Sequence, residues 1–279
     1  MHWPLVAMEN ALFADRTLGW NERCALVATA GFAGIYAVPY PLTDADFSRV
    51  RDLAREPGRH GLFVEAIYLN VDLAYPMDAV PNTRITRVFE EINGTPRIEL
   101  SFKHSRTDEP LTNLEPEIEA RLEPLLEIAD RRDLQVALYP HSFYPLETLP
   151  QAERIVRRIN HPRLSFVFAT SHVYAISSAA ETVDQLARFA VQIASFNVCG
   201  CTRGGPRPPA KCVHHPLDQG ELPLRPLFQV LAEKNYSGPV IVQGHGWTGD
   251  LPAQLRRCVS ATTDLFPQPT SLPVQRFHL

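Results

Sequence analysis

The stretch from Leu134 to His172, LQVALYPHSFYPLETLPQAERIVRRINHPRLSFVFATSH, constrains the fold more than any other. Residues 134–139 are a short apolar run with charge before it and Pro140 after it, the pattern of a buried strand. Residues 149–159 carry apolar side chains at helical spacing, and Asn160, His161 and Pro162 stop the helix, since proline cannot continue one. Residues 164–168 are a second buried run. Strand, helix and strand in so short a stretch make a βαβ unit with parallel strands. Both strands end in polar groups, Tyr139 and His141 on the first, Thr170, Ser171 and His172 on the second. Ligands of parallel α/β folds gather at such carboxyl ends.

The same reading predicts strands at 5–8, 35–38, 62–69, 98–102, 193–198 and 240–243. Helices are expected at 20–30 (Gly31 as C-cap), 43–55 (Thr43 as N-cap, ending before Pro57), 83–92, 115–132, 179–190, 224–233 and 251–262. A polar Pro/Gly-rich loop fills 199–222, and the tail after Phe266 reads as irregular. Eight strands, each followed by a helix, predict a single (β/α)8 TIM barrel over residues 1–279. The rival is an open doubly wound sheet, which would ordinarily carry a Gly-rich turn after an early strand; no GxGxxG is present.

A formal charge of −4 and a pI near 6.2 leave no footprint for nucleic acid. No apolar run approaches the ~20 residues of a membrane span. The N-terminus lacks the basic and apolar regions of a signal peptide. Five irregularly spaced cysteines argue against a disulfide framework and for a reducing, cytoplasmic setting. A homodimer is compatible with the sequence.

Position alone nominates several groups. His141 and His172 can pass protons near neutral pH; the bland reading is two histidines capping strand ends. Lys103, one of three lysines, follows the fourth strand and could stabilise an enediolate oxygen or bind an anion; otherwise it is a solvated surface lysine. Glu65 and Glu99 fall inside strands and are expected to form a structural salt link with an arginine. Cys199, Cys201, Cys212, His214 and His215 form an N/S cluster that zinc could use, but the spacing matches no standard module. Arg203 and Arg207 could bind an anionic substrate group. Tyr36, Tyr40, Tyr68, Phe143, Tyr144, Tyr174 and Trp247 lie at or near strand ends, where aromatics stack on sugars or merely pack the rim.

GFAGIYA, LQVALYPHSFY, FVFATSH and PLDQGELPLRPLFQVLAEKNYSGPVIVQ, taken together and in this order, resemble the xylose isomerase-like sugar isomerase/epimerase barrels. The resemblance implies a TIM barrel and a carbohydrate or sugar-phosphate substrate. It also implies a divalent-metal site built from a glutamate on strand five, an aspartate on strand six, a histidine on strand seven and a glutamate on strand eight. The matching positions here read Tyr139, Ala169, Asn197 or Cys199, and Gln243, so all three carboxylates are absent. Mg²⁺ and Mn²⁺ prefer carboxylate oxygens. The expectation is therefore no metal ligands and no cofactor, a divalent metal (Mn²⁺, Mg²⁺ or Zn²⁺) being the disfavoured alternative. His172 matches the family histidine that contacts substrate. The expected machinery is His141, His172 and Lys103 for catalysis, with Tyr139, Gln243, Asn197, Arg203, Tyr68 and His245 contacting substrate. The implied activity is proton transfer next to a carbonyl by a sugar or polyol isomerase/epimerase; the alternative is a non-catalytic carbohydrate-binding or regulatory barrel that has lost its metal. An endonuclease on the same barrel would need a multi-zinc site and a basic face, and neither is visible.

Overall fold

A computed structural model describes residues 3–15, 17–105, 114–205 and 211–266. The strands are β1 (Leu5–Met8), β2 (Gly34–Ala37), β3 (Phe63–Asp72), β4 (Arg97–Lys103), β5 (Gln135–Leu138), β6 (Leu164–Ala169), β7 (Ile193–Val198), β8 (Gly200–Arg203), β9 (Cys212–His215) and β10 (Val240–Val242). Eight of them close a barrel in the order β1-β10-β7-β6-β5-β4-β3-β2, and every neighbouring pair is parallel. All eight carboxyl ends therefore open on one face. The chain is a (β/α)8 TIM barrel, and His141 and His172 both lie at that face.

Helices α1 (Trp20–Ala30), α4 (Asn82–Glu91), α5 (Glu115–Arg132), α6 (Leu149–Ile159), α8 (Ala179–Phe189), α9 (Arg225–Glu233) and α10 (Leu251–Leu265) follow the barrel strands. Their apolar stripes pack on the outer strand faces: Leu122, Leu125, Leu126 and Ile128 of α5 are buried, as are Leu149, Ala152 and Ile155 of α6. A second, smaller cluster fills the barrel interior, including Val6, Met8, Tyr36, Ala137, Tyr139, Val167, Ala169 and Ile241. Below it, Arg97 ion-pairs with Glu65 at 2.7 Å and Glu99 at 3.0 Å, and Glu99 accepts bonds from the Tyr36 hydroxyl and Ser195 Oγ. These two glutamates form the expected salt link, inside the barrel and away from its carboxyl ends. Burial raises the Glu65 carboxyl above its ordinary value, and the Arg97 guanidinium beside it works against that shift. No described helix is long and apolar enough to cross a membrane.

Three local expectations are corrected. The region 43–55 is not one helix: Thr43 does start a turn, through a capping box with Asp46, but short helices α2 (Phe47–Val50) and α3 (Arg55–Arg59) follow. Pro57 lies within α3 rather than after it. A proline in the first turn forfeits only an N–H that has no intrahelical partner. The polar loop 199–222 contains the antiparallel hairpin β8–β9. Finally, residues 170–176 form helix α7 (Thr170–Ile176), so His172 stands in a helical first turn immediately above β6. The irregular tail after Phe266 and Arg207 lie outside the described residues.

Candidate active site at the carboxyl face of the barrel

Tyr139 follows β5 and points into the barrel, where it is 2% exposed. Its Oη accepts a hydrogen bond from Gln243 Nε2 at 2.5 Å. Gln243 Oε1 accepts one from Ser171 Oγ at 3.3 Å. Asn197 lies against the same phenol, fully buried, yet neither its amide nitrogen nor its amide oxygen has an aligned partner. The Tyr68 ring meets the Tyr139 ring edge-on at 4.9 Å, and its hydroxyl bonds Ser101 Oγ at 2.7 Å. Burial raises both phenols well above the usual tyrosine range, so both stay protonated.

Just above sit the histidines. The His141 ring stacks between Tyr144, with centroids 4.0 Å apart, and His172, at 3.8 Å. The Tyr144 ring is stacked, 21° from the imidazole plane, and the His172 ring is tilted from it by 35°. His141 Nδ1 lies 2.8 Å from the Ser142 carbonyl oxygen, an acceptor, so the neutral ring carries its proton there and leaves the Nε2 lone pair free. Ser142 Oγ bonds His172 Nδ1 at 3.0 Å, tying the second ring to the turn that holds the first. Burial pushes His141 down to about 4, with the nearby His214 and His245 adding to the shift. Burial also takes His172 well below its ordinary value, with His141 adding repulsion. His214 on β9 falls to about 4 through burial, and His245 is lowered by burial and His214. The site thus holds four neutral imidazoles at pH 7.

Lys103 ends β4 on the same rim, 3.8 Å from the Asp72 carboxylate. Burial raises the Asp72 pKa, but hydrogen bonds from Ser105 and Ala74, with Lys103, outweigh it and leave the carboxyl below its usual range. The contact holds the lysine side chain at the mouth.

The structure brings together Tyr139, His141, His172, Asn197, Gln243 and Tyr68, with Lys103 and the exposed His245 on the rim. It does not bring in Arg203. That guanidinium turns to the end of α7, donating to the Tyr174 carbonyl at 2.7 Å and to the Ser177 carbonyl, and lies 4.0 Å over the Tyr174 ring. Its donors hold the last carbonyls of a helix that the sequence reading did not contain. Nor does the structure gather the zinc candidates of the seventh-strand loop: among the described residues no three His, Cys, Asp or Glu side chains converge as metal ligands. Cys199 and Cys201 lie 3.3 Å apart as buried thiols, while His214 turns toward His245, ring centroids 6.3 Å apart. Sequence reasoning missed Ser142, whose backbone and hydroxyl join the histidines, and Asp72. Asp72 was missed because β3 continues three residues beyond the expected end at Leu69.

The implied metal can be tested against these side chains. The four positions supply a protonated phenol, a methyl group, the Asn197 amide or the Cys199 sulfur, and the Gln243 amide, and Tyr139 and Gln243 are bonded to each other. A hard divalent cation needs several oxygens with anionic charge among them. The residues present do not fit Mg²⁺ or Mn²⁺.

A family model for xylose isomerase-like TIM barrels matches residues 24–258. No curated protein matches in sequence. A xylose isomerase domain protein from Alicyclobacillus acidocaldarius superposes with a TM-score of 0.71 at 18% identity, over 94% of this chain and 97% of the other. The 3-keto-D-glucoside 4-epimerase YcjR of E. coli gives 0.71 at 15% identity, over 94% of this chain and all of the other. A xylose isomerase-like TIM-barrel protein from Mycobacterium smegmatis in complex with magnesium gives 0.67 at 15% identity, over 94% and 96%. At such identities the likeness is one of fold. The family model covers most of the chain, and with it the strands that carry the site; this protein belongs to the xylose isomerase-like TIM-barrel family.

Proposed function

We propose that this protein is a sugar or polyol isomerase/epimerase-like enzyme that moves a proton next to a carbonyl without the family's divalent metal. The observation that carries the reading is the buried polar cluster of Asn197, Tyr139 and Gln243 at the floor of the barrel mouth. Such a cluster is costly to bury unless its donors and acceptors are filled, and a ligand can fill those the side chains leave open. A carbohydrate hydroxyl donates and accepts at once, which is the complement required. An epimerase of a keto-sugar among the similar folds is in keeping with this.

In the proposed reaction His141 Nε2 takes the proton from carbon next to the carbonyl. The C–H electron pair becomes the C=C bond of an enediolate, and charge develops on the carbonyl oxygen. The protonated Tyr139 hydroxyl and the Lys103 ammonium are the donors available to that oxygen. Returning the proton to the opposite face of the same carbon gives the epimer; returning it to the neighbouring carbon, while the hydroxyl proton passes from one enediolate oxygen to the other, gives the isomer. His172 shares the proton or orients the substrate. Burial keeps both imidazoles neutral and proton-accepting at pH 7, at the expense of basicity.

The test is deuterium incorporation from D₂O into ketoses and keto-glycosides by EDTA-treated protein, followed by NMR. Exchange is expected to survive EDTA and to fall by roughly a hundredfold or more in His141→Ala and His172→Ala. Exchange that disappears with EDTA and returns with Mn²⁺ would overturn the metal-free reading. Sugar binding without exchange would favour a carbohydrate-binding barrel, the reading to which the missing carboxylates also lend themselves.

A further inference from the structure

The turn that follows β5 contains an exposed aromatic in a conformation suited to glycine. Tyr144 N–H donates to the His141 carbonyl at 3.0 Å, closing a four-residue turn. Its third residue, Phe143, has φ +69°. That position ordinarily takes Gly or Asn, because a Cβ crowds the backbone at positive φ. A bulky side chain there is an outlier. The conformation is held by the Phe143 N–H donating to Glu147 Oε1 at 2.7 Å and by the His141 N–H donating to the Leu146 carbonyl at 2.9 Å.

Folding does not explain the phenyl ring. Were the turn alone at stake, glycine would serve without strain. Were packing at stake, the ring would be buried, whereas Phe143 is 51% exposed and stacks on no other ring among the described residues. Its two neighbours are Ser142, bonded to His172, and Tyr144, stacked on His141. Tyr40, at the exit of β2, is a second exposed aromatic on this face, 58% exposed and near enough to Tyr144 to act on its phenol. Strain retained in a residue beside a candidate catalytic pair is a pointer to use.

We propose that Phe143 is a specificity-determining residue, held out by the strained turn to stack on the apolar C–H face of a sugar ring seated at the His141–His172 pair. The inference rests on the carbohydrate reading above and assigns the ring face, rather than the hydroxyls, to this side chain. Stacking would select pyranose or furanose rings over acyclic polyols of similar composition.

Wild type, Phe143→Gly and Phe143→Tyr are compared by thermal unfolding and by saturation-transfer NMR with fructose, methyl β-glucopyranoside and the acyclic polyol sorbitol. The expected result is a Tm for Phe143→Gly equal to or above wild type, with roughly tenfold weaker binding of the ring sugars, the order a lost aromatic contact gives. Phe143→Tyr should keep wild-type binding, and sorbitol should bind more weakly than the ring sugars. A lower Tm for Phe143→Gly would show that the ring serves the fold and would overturn the proposal. So would unchanged sugar binding in that variant, while leaving the carbohydrate reading intact. Failure of wild type to bind any of the three would sink both.

Discussion

At Tyr139 a neutral phenol meets the Gln243 amide where the family resemblance calls for two carboxylates. Tyr139→Phe removes one hydroxyl and leaves Gln243 Nε2, buried, with only the distant Met8 sulfur at 3.9 Å. An orphaned buried donor costs about 1–3 kcal/mol. Urea unfolding should show that loss, and sugar binding should weaken with it; unchanged stability would mean the pair is not formed. The identity of these residues was legible in the sequence, because strand period and motif order placed them at the barrel mouth. Their bonding was not. A sequence does not show that Gln243 reaches across the barrel from β10 to a residue after β5, since the partners lie 104 positions apart.

Among the elements, α7 and the β8–β9 hairpin were the ones not foreseen. Thr170–Ile176 begins directly after a buried strand, with no N-cap side-chain hydrogen bond to mark its start. The hairpin is joined through Gly- and Pro-rich sequence that reads as loop. Its course depends on close backbone packing: a Cβ at Gly200 would collide with the Pro216 and Gln219 carbonyl oxygens, and Gly220, at φ +95°, lies against the Cys201 backbone. Arg203 ties the two elements together at the end of α7. Arg203→Gln is therefore expected to destabilise the protein by about 1–3 kcal/mol, by leaving carbonyls and the Tyr174 face without their cation. Denaturant midpoints measure this. A variant of full stability that instead lost affinity for anionic sugars would restore the substrate-binding role.

Across the whole molecule the four depressed histidines make stability depend on pH. An unfolded histidine takes its proton near pH 6.5, whereas folded His141 and His214 do so at about 4. Between those values the unfolded state binds more protons, so stability falls as pH drops from about 6.5 toward about 4 and is unaffected by these groups above that window. Each of these two contributes at most ~3 kcal/mol. Lowered carboxyls such as Asp72 act in the same direction only at lower pH. Urea unfolding at about pH 7 and about pH 5 isolates the histidine part. Wild type should lose several kcal/mol over that step, and His214→Gln should lose less. A flat profile would mean the imidazoles are solvated rather than buried.

By itself the sequence determined the barrel, through alternating apolar runs and helical stripes at regular spacing, because burying those stripes against a parallel sheet leaves few other topologies. It also placed Tyr139, His141, His172 and Gln243 at strand ends, and showed that the three metal-binding carboxylates of the family pattern are replaced. Only the tertiary structure decided how these groups act on one another. It stacked His141 between Tyr144 and His172, held them neutral by burial, paired Tyr139 with Gln243 and turned Arg203 away. Desolvation and the direction in which each group points arise from contacts between distant segments, which local periodicity does not encode.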